Sequence, residues 1–379
     1  MDFEFTEEQL MIRDAARDFA QRDLIKDVLE RDAGSVYPTE HVKKLAELGF
    51  LGMLVDPAYD GGGMDTVSYV LAMEEISKVD ASVSVIMSVN NSLVCYGLEA
   101  YGSEEQKQKY LKPLARGEKI GAFLLSEPEA GSDATSQRTT AEDKGDHYLL
   151  NGTKNWITNG NTAGTYLVIA QTQPEKKHKG INCLIVDRNL PGISVGPHED
   201  KMGMRSSDTH SVMFTDVIVP KENRIGEDGF GFTFAMKTLE GGRIGIASQA
   251  LGLASGAFER SVKYAKERKA FGTELANHQV IAFKLADMAV KIENARNLCL
   301  KAAWLKDNHK PYGIASAMAK YYAAEIAMDV TTQAVQIHGG YGYVKEYHVE
   351  RLMREAKLTQ IYEGTSEIQQ IVISRDLLK

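Results

Sequence analysis

Residues 277–302 read NHQVIAFKLADMAVKIENARNLCLKA, and in them Ile281, Leu285, Met288, Ile292, Ala295, Cys299 and Ala302 recur at alternating steps of four and three. That spacing lays one apolar stripe along a helix and requires other helices to cover it, so the segment reads as part of a helical bundle. Helical texture holds from Gly229 onward. Pro311 fits the first turn of a following helix, which Gly339-Gly340 terminates. The first third is helical too: Thr6 and Gln9 fit a capping box ahead of Ile12, Ala15, Ala16 and Phe19 on one face. Pro38 opens a second helix that Gly49 closes, and Ser103 with Gln106 makes another box before Tyr110 and Leu111. Between these halves, β-rich runs at 121–125, 166–172, 181–187 and 211–219 are separated by turn signals such as Asn151-Gly152 and Pro191-Gly192. The expectation is a mainly α chain with a central β domain: an N-terminal helical domain over 1–120, a small β-barrel or sandwich over 121–228, and a C-terminal four-helix bundle over 229–379.

A chain of 379 residues exceeds what one core usually holds, in keeping with that division. Its 43% hydrophobic and 25% charged content is ordinary for a globular protein, and a net charge of −8 argues against nucleic acid as the main partner. No long uncharged apolar run is found on this reading, so no membrane span is expected. The start Met1-Asp2-Phe3-Glu4-Phe5 is acidic and lacks the apolar core of a signal peptide, and no Arg-rich transit peptide follows. Cys95, Cys183 and Cys299 are widely spaced without a CxxC. They are expected to be reduced, buried and non-catalytic in a cytoplasmic protein, or in the mitochondrial matrix had a transit peptide been removed.

Six segments carry chemistry. Gln360-Ile361-Tyr362-Glu363-Gly364-Thr365-Ser366-Glu367-Ile368-Gln369 sets one carboxylate between an aromatic ring and a glycine, just before a helix cap. Desolvation would make Glu363 a base able to take a weakly acidic carbon-bound proton; a solvated position beside the helix N-terminus would instead lower its pKa. The turn from Ser126 to Asp133 ends a β-run in small and hydroxyl residues, suited to backbone approach to an anion or ring, or to a plain capped connection. Trp156, in Asn151-Gly152-Thr153-Lys154-Asn155-Trp156-Ile157-Thr158, is either an indole with one wet edge for a flat heterocycle or a core residue. Arg243 in Leu239-Glu240-Gly241-Gly242-Arg243 suits a phosphate or a neighbouring carboxylate. Arg268, Phe271 and Gln279 suit a pyrophosphate and an adenine, or Arg268 forms a surface ion pair with Glu267 or Glu274. In Gln336-Ile337-His338-Gly339-Gly340 the histidine is read as structural, and no metal spacing accompanies it. No strand-linked GxGxxG and no GxSxG elbow occurs, against a Rossmann site or a serine hydrolase.

Together and in this order these segments resemble the acyl-CoA dehydrogenase family of flavoproteins essentially end to end. Lys201-Met202-Gly203-Met204-Arg205-Ser206-Ser207-Asp208-Thr209 and Phe214-Thr215-Asp216-Val217-Ile218-Val219-Pro220 add to the likeness, and the tail motif is most similar to the short-chain branch. The resemblance implies FAD as cofactor. It makes Glu363 the base for the α-proton of an acyl-CoA thioester, while the β-hydrogen leaves as hydride to flavin N5 and the Glu363 N–H helps hold the enolate oxygen. It implies flavin contacts at Phe123, Leu125, Ser126, Gly131, Ser132, Trp156, Ile157, Thr158, Thr365 and Glu367. Arg268, Phe271 and Gln279 would meet the pyrophosphate and adenine. Gln336, Gly339 and Gly340 match contacts made from a neighbouring subunit, hence a homo-oligomer, a tetramer built as a dimer of dimers. Ser132, Glu240, Arg243 and Gly364 would meet the acyl-CoA, and electrons would pass to an electron-transfer flavoprotein in fatty-acid β-oxidation. Relatives that carry the base on the long helix do so where this chain has Gly242, leaving Glu363 as the candidate; Glu240 and Glu355 stand where relatives have aspartate. An oxygen-using acyl-CoA oxidase and a branched, isobutyryl-type dehydrogenase are the alternatives. The short chain, without the extra C-terminal domain of many oxidases, favours a dehydrogenase.

Overall fold

In the computed structural model, residues 4–379 are described; Met1–Phe3, where the segment inspected for a leader begins, lie outside the described residues. The capping box at Thr6 and Gln9 forms as expected and starts the helix Glu7–Arg22, which buries Ile12, Ala16 and Phe19. The helix Thr39–Glu47 begins directly after Pro38, and Gly49 follows it in the left-handed region. Ser103 and Gln106 also make their reciprocal cap.

One reading of this region is corrected. The stretch from Ala81 to Leu98 is uncharged, and the continuous helix Ala81–Tyr101 is long and apolar enough to cross a membrane by length and composition, with 94% of that window buried inside the protein. It serves as a core helix, α over Ala81–Ser88, π over Val89–Cys95 and α over Tyr96–Tyr101. Buried asparagines tie it to neighbouring segments: Asn91 Nδ2 donates to the Phe50 carbonyl at 2.7 Å, while Asn90 donates to that of Leu51 at 2.8 Å and accepts from the Gly121 N–H at 2.9 Å. This helix thereby ties the N-terminal helices to the first strand.

The middle of the chain is one seven-stranded mixed sheet with β1 (Gly121–Leu124), β2 (Thr140–Asp143), β3 (His147–Thr158), β4 (Thr165–Gln171), β5 (Ile181–Asp187), β6 (Ile193–Val195) and β7 (Thr209–Pro220). Their order is β1-β4-β2-β3-β7-β6, with β5 on the other side of β4. Asn151-Gly152 is not the expected turn: it lies inside β3, where the register against β7 steps between Leu150 and Gly152. Gly152 sits at φ 142°, and a Cβ there would come within 2.7 Å of the Thr139 Cα, so glycine makes a bulge beside a crowded neighbour. A second step between Lys154 and Ile157 leaves Trp156 at φ 61° with 61% of its surface exposed, which excludes the core-tryptophan reading.

The C-terminal third packs the helices Gly231–Glu267, Gln279–Asp307 and Gly313–His338 with Val349–Thr359 and Ser366–Leu377. Met288, Ile292, Ala295, Cys299 and Ala302 are buried in the seam, and Ile281 and Leu285 pack half-buried against the same cluster. Pro311 stands two residues ahead of the helix Gly313–His338 rather than in its first turn, since Tyr312 already serves as the cap. All three cysteines are free and buried.

Candidate active site

Glu363 occupies the short turn between the helices Val349–Thr359 and Ser366–Leu377, whose cap is Thr365 accepting from the Ile368 N–H at 3.3 Å. Glu363 at φ 52° and Gly364 at φ 90° are consecutive left-handed residues, a conformation a non-glycine residue adopts only when its surroundings enforce it. Three side chains pin the turn. Lys320 Nζ donates to the Gly364 carbonyl at 2.7 Å, Gln369 Nε2 donates to the same oxygen at 2.9 Å, and the Tyr362 hydroxyl donates to Gln249 Oε1. Glu363 is half-buried as a residue, but its Oε2 is closed off from solvent and has no hydrogen-bond partner. Burial pushes its pKa up to about 7, against the opposing pull of Lys320 and Arg243. The solvated, helix-dipole alternative does not hold, because desolvation outweighs it.

Opposite the carboxylate runs the long helix Gly231–Glu267. A Cβ at Gly242 would lie 2.2 Å from Glu363 Oε2, so the bare backbone is what admits the carboxylate. The neighbouring Arg243 is buried, its Nε lacks a partner, and burial lowers its pKa while Glu240 and Glu363 raise it. Glu240 is half-buried beside Tyr312 and Gly313, where a Cβ would approach its Oε1 to 2.9 Å.

The β domain supplies a second surface. Phe123 stacks on Phe234 of the long helix at 6.4 Å, which joins the sheet to the bundle, and Leu125 packs against the same core. The Asn155 N–H donates to the Ser126 carbonyl at 2.9 Å, bringing the Ser126–Asp133 turn against the end of β3 with its exposed Trp156, buried Ile157 and half-buried Thr158. Beneath this turn Lys154 Nζ donates to Glu127 Oε1 at 2.8 Å and to the Leu125 carbonyl at 3.0 Å. Glu127 also accepts from the Arg138 and Thr139 N–H groups. Gly131 and Ser132 are exposed, with open space around Gly131.

The remaining expected residues collect elsewhere. Arg268, Gly339 and Gly340 line one cleft of about 500 Å³ together with Tyr264, Ile337 and Tyr341. The Arg268 guanidinium lies 5.4 Å from the Tyr341 ring centre and forms neither of the ion pairs considered for it; Glu274 pairs with Lys269. Phe271 is 98% exposed, and Gln279 and Gln336 are exposed as well. His338 is structural, its Nδ1 2.8 Å from the Ala334 carbonyl and its ring stacked on Tyr264 at 4.3 Å. Arg243 and Arg268 are separated by 25 residues along and just past one helix, roughly 37 Å at the helical rise. One chain therefore does not bring its own Glu363 turn and its own Arg268 cleft together.

Sequence reasoning missed Lys320 and gave Lys154 and Glu127 no role. Lys320 is fully buried on the stripe Ser316, Lys320, Ala323, Ala327 of the helix Gly313–His338. A lysine on that bundle-forming period was the available signal.

Models of the acyl-CoA dehydrogenase N-terminal, middle and C-terminal domains match residues 6–118, 122–217 and 229–378. A relative from Clostridium acetobutylicum named "Acyl-CoA dehydrogenase, short-chain specific" is 50% identical over 379 residues, covering all of both chains. The Acetobacterium woodii protein named "Caffeyl-CoA reductase-Etf complex subunit CarC" is 48% identical over 376 residues, 99% of each chain. The solved structure of butyryl-CoA dehydrogenase from Megasphaera elsdenii superposes with a TM-score of 0.99 at 47% identity, covering 100% of both chains.

Proposed function

Because this chain belongs to the acyl-CoA dehydrogenase family, we propose that it converts short-chain acyl-CoA thioesters to trans-2-enoyl-CoA and passes the electrons to an electron-transfer flavoprotein. The observation that carries this reading is Glu363: a half-buried residue whose Oε2 is closed off from water and unpartnered, with a pKa near 7 and a glycine across from it. Such a group is uncharged enough to survive burial and basic enough to take an activated α-proton at neutral pH. The proton moves from the thioester Cα to Glu363, whose backbone N–H makes no hydrogen bond among the described residues and is free for the developing enolate oxygen. Arg243, Glu240, Gly364 and Ser132 bind and orient the acyl-CoA.

The residues present fit FAD: Trp156 offers an exposed indole face beside the Ser126–Asp133 turn, and open space surrounds Gly131, Gly339 and Gly340. When bound, FAD supplies the acceptor for the β-hydrogen and its electron pair. Phe123, Leu125, Ser126, Gly131, Ser132, Trp156, Ile157, Thr158, Thr365 and Glu367 hold it from one chain. The Arg268 cleft, with Phe271, Gln279, Gln336, Gly339 and Gly340, serves the flavin of a second copy, because it lies too far from its own chain's Glu363. The active form is a homo-oligomer, a tetramer built from such dimers. Exposed Phe271, Val280, Phe283 and Val290 supply apolar surface for the contact between copies. The protein works in the cytoplasm.

Anaerobic addition of butyryl-CoA to the flavin-loaded protein tests this. Bleaching of the flavin absorbance, slow reoxidation in air and fast reoxidation by an electron-transfer flavoprotein are expected. Prompt reoxidation by air with peroxide would assign an oxidase, and no bleaching by any short acyl-CoA, straight or branched, would reject the activity.

A further inference from the structure

Lys320 raises a question that its hydrogen bond alone does not answer. Its side chain is fully buried, and burial pushes its pKa down to about 8. Among the described residues its ammonium has one hydrogen bond, to the Gly364 carbonyl at 2.7 Å, and no ion pair. Gln369 already donates to that carbonyl at 2.9 Å, so a neutral donor is in place and a buried charge is a costly duplicate. The cost makes sense only if the charge acts on something near it.

What lies near is the carboxylate. Glu363 is faced by Lys320 from the helix Gly313–His338, by Arg243 from the long helix, by Tyr69 from the helix Thr66–Ser77, and by Tyr362 from its own turn. The π segment Val89–Cys95 presents Leu93 to it. Lys320 in turn feels Glu363 first, then Arg243, Glu325 and Glu367. Glu325 is already engaged, accepting from Ser366 at 2.6 Å and from Gln360 at 2.8 Å, and Glu367 is exposed. Resting on the reading of Glu363 as the base, we infer that Lys320 is a positioning residue: it fixes the left-handed Glu363-Gly364 turn through the Gly364 carbonyl and supplies the cation that offsets the burial of the Glu363 carboxylate. Without that cation only Arg243 opposes desolvation, and the base is held more in its protonated form at neutral pH.

Flavin-loaded Lys320→Gln keeps a donor and removes the charge, Lys320→Met removes both, and Lys320→Arg keeps the charge. The measurements are the pH profile of kcat/KM, flavin content and the thermal midpoint. For Lys320→Gln the acid limb moves up by about one pH unit or more, with flavin retained, kcat/KM down about 5-fold at pH 7 and recovering toward pH 9. Lys320→Arg keeps the parent midpoint, and Lys320→Met, if it folds, shifts as Lys320→Gln does. An unchanged acid limb in Lys320→Gln, or a loss of activity equal at every pH, overturns the inference. Failure of the underlying reading shows separately: Glu363→Gln would then turn over normally whatever the Lys320 variants do.

Discussion

At Glu363 the environment sets the chemistry. A carboxylate with a pKa near 7 in the free protein gives kcat/KM a rising acid limb, about tenfold per pH unit below 7 and level above about 8. A profile flat from pH 5 to 9 would contradict it. The same burial has a stability consequence. The folded pKa lies above the unfolded value, so stability from the proton is full below about 4.5 and is lost as pH rises through about 7. Glu363→Gln, which cannot titrate, is expected to gain on the parent over that window by up to about 3 kcal/mol, read by denaturant unfolding at pH 4, 6 and 8. Gly242→Ala places a methyl where Oε2 sits; it is expected to fold, keep its flavin and lose about 10²-fold in kcat, because a displaced base misses the reacting geometry. Glu363 was singled out through the resemblance of its tail motif, since the local string alone left a solvated, cap-side carboxylate open, and its burial comes from a distant helix. The burial of Lys320 showed only in its place on the apolar period of its helix; its partner, a backbone carbonyl 44 residues away, left no local pattern.

Elements were legible where their period is long and unbroken. The seam from Ile281 to Ala302 specified its helix and its buried face together, because seven apolar residues on one period leave no second reading. β2 and β6 escaped, being four and three residues long, too short to display alternation. β3 was missed because its Asn151-Gly152 reads as a turn, the strongest hairpin signal, whereas here glycine answers to a tertiary demand, the approach of Thr139. Gly152→Ala is accordingly expected to destabilise by about 1–3 kcal/mol in urea unfolding, where a turn glycine exposed to solvent would cost less. Likewise the apolar Ala81–Tyr101 helix is defined by what encloses it, so its own composition did not separate a core helix from a spanning one.

On the scale of the whole molecule, the long helix sets the Glu363 end and the Arg268 cleft roughly 37 Å apart, and the proposal that two copies complete each site rests on that separation. Mixing decides this. Glu363→Gln and Arg268→Ala are each expected to be inactive alone, while a co-expressed hybrid has one intact site per mixed dimer and recovers about a quarter of the parent activity. No recovery would place both residues in the same chain's site. Beneath all of this stands the claim that one buried carboxylate takes the α-proton. Its most direct test is the single-turnover rate of flavin bleaching by butyryl-CoA in Glu363→Gln. With flavin and acyl-CoA binding retained, the rate is predicted to fall by about 10²-fold or more; a rate near that of the parent would contradict the account.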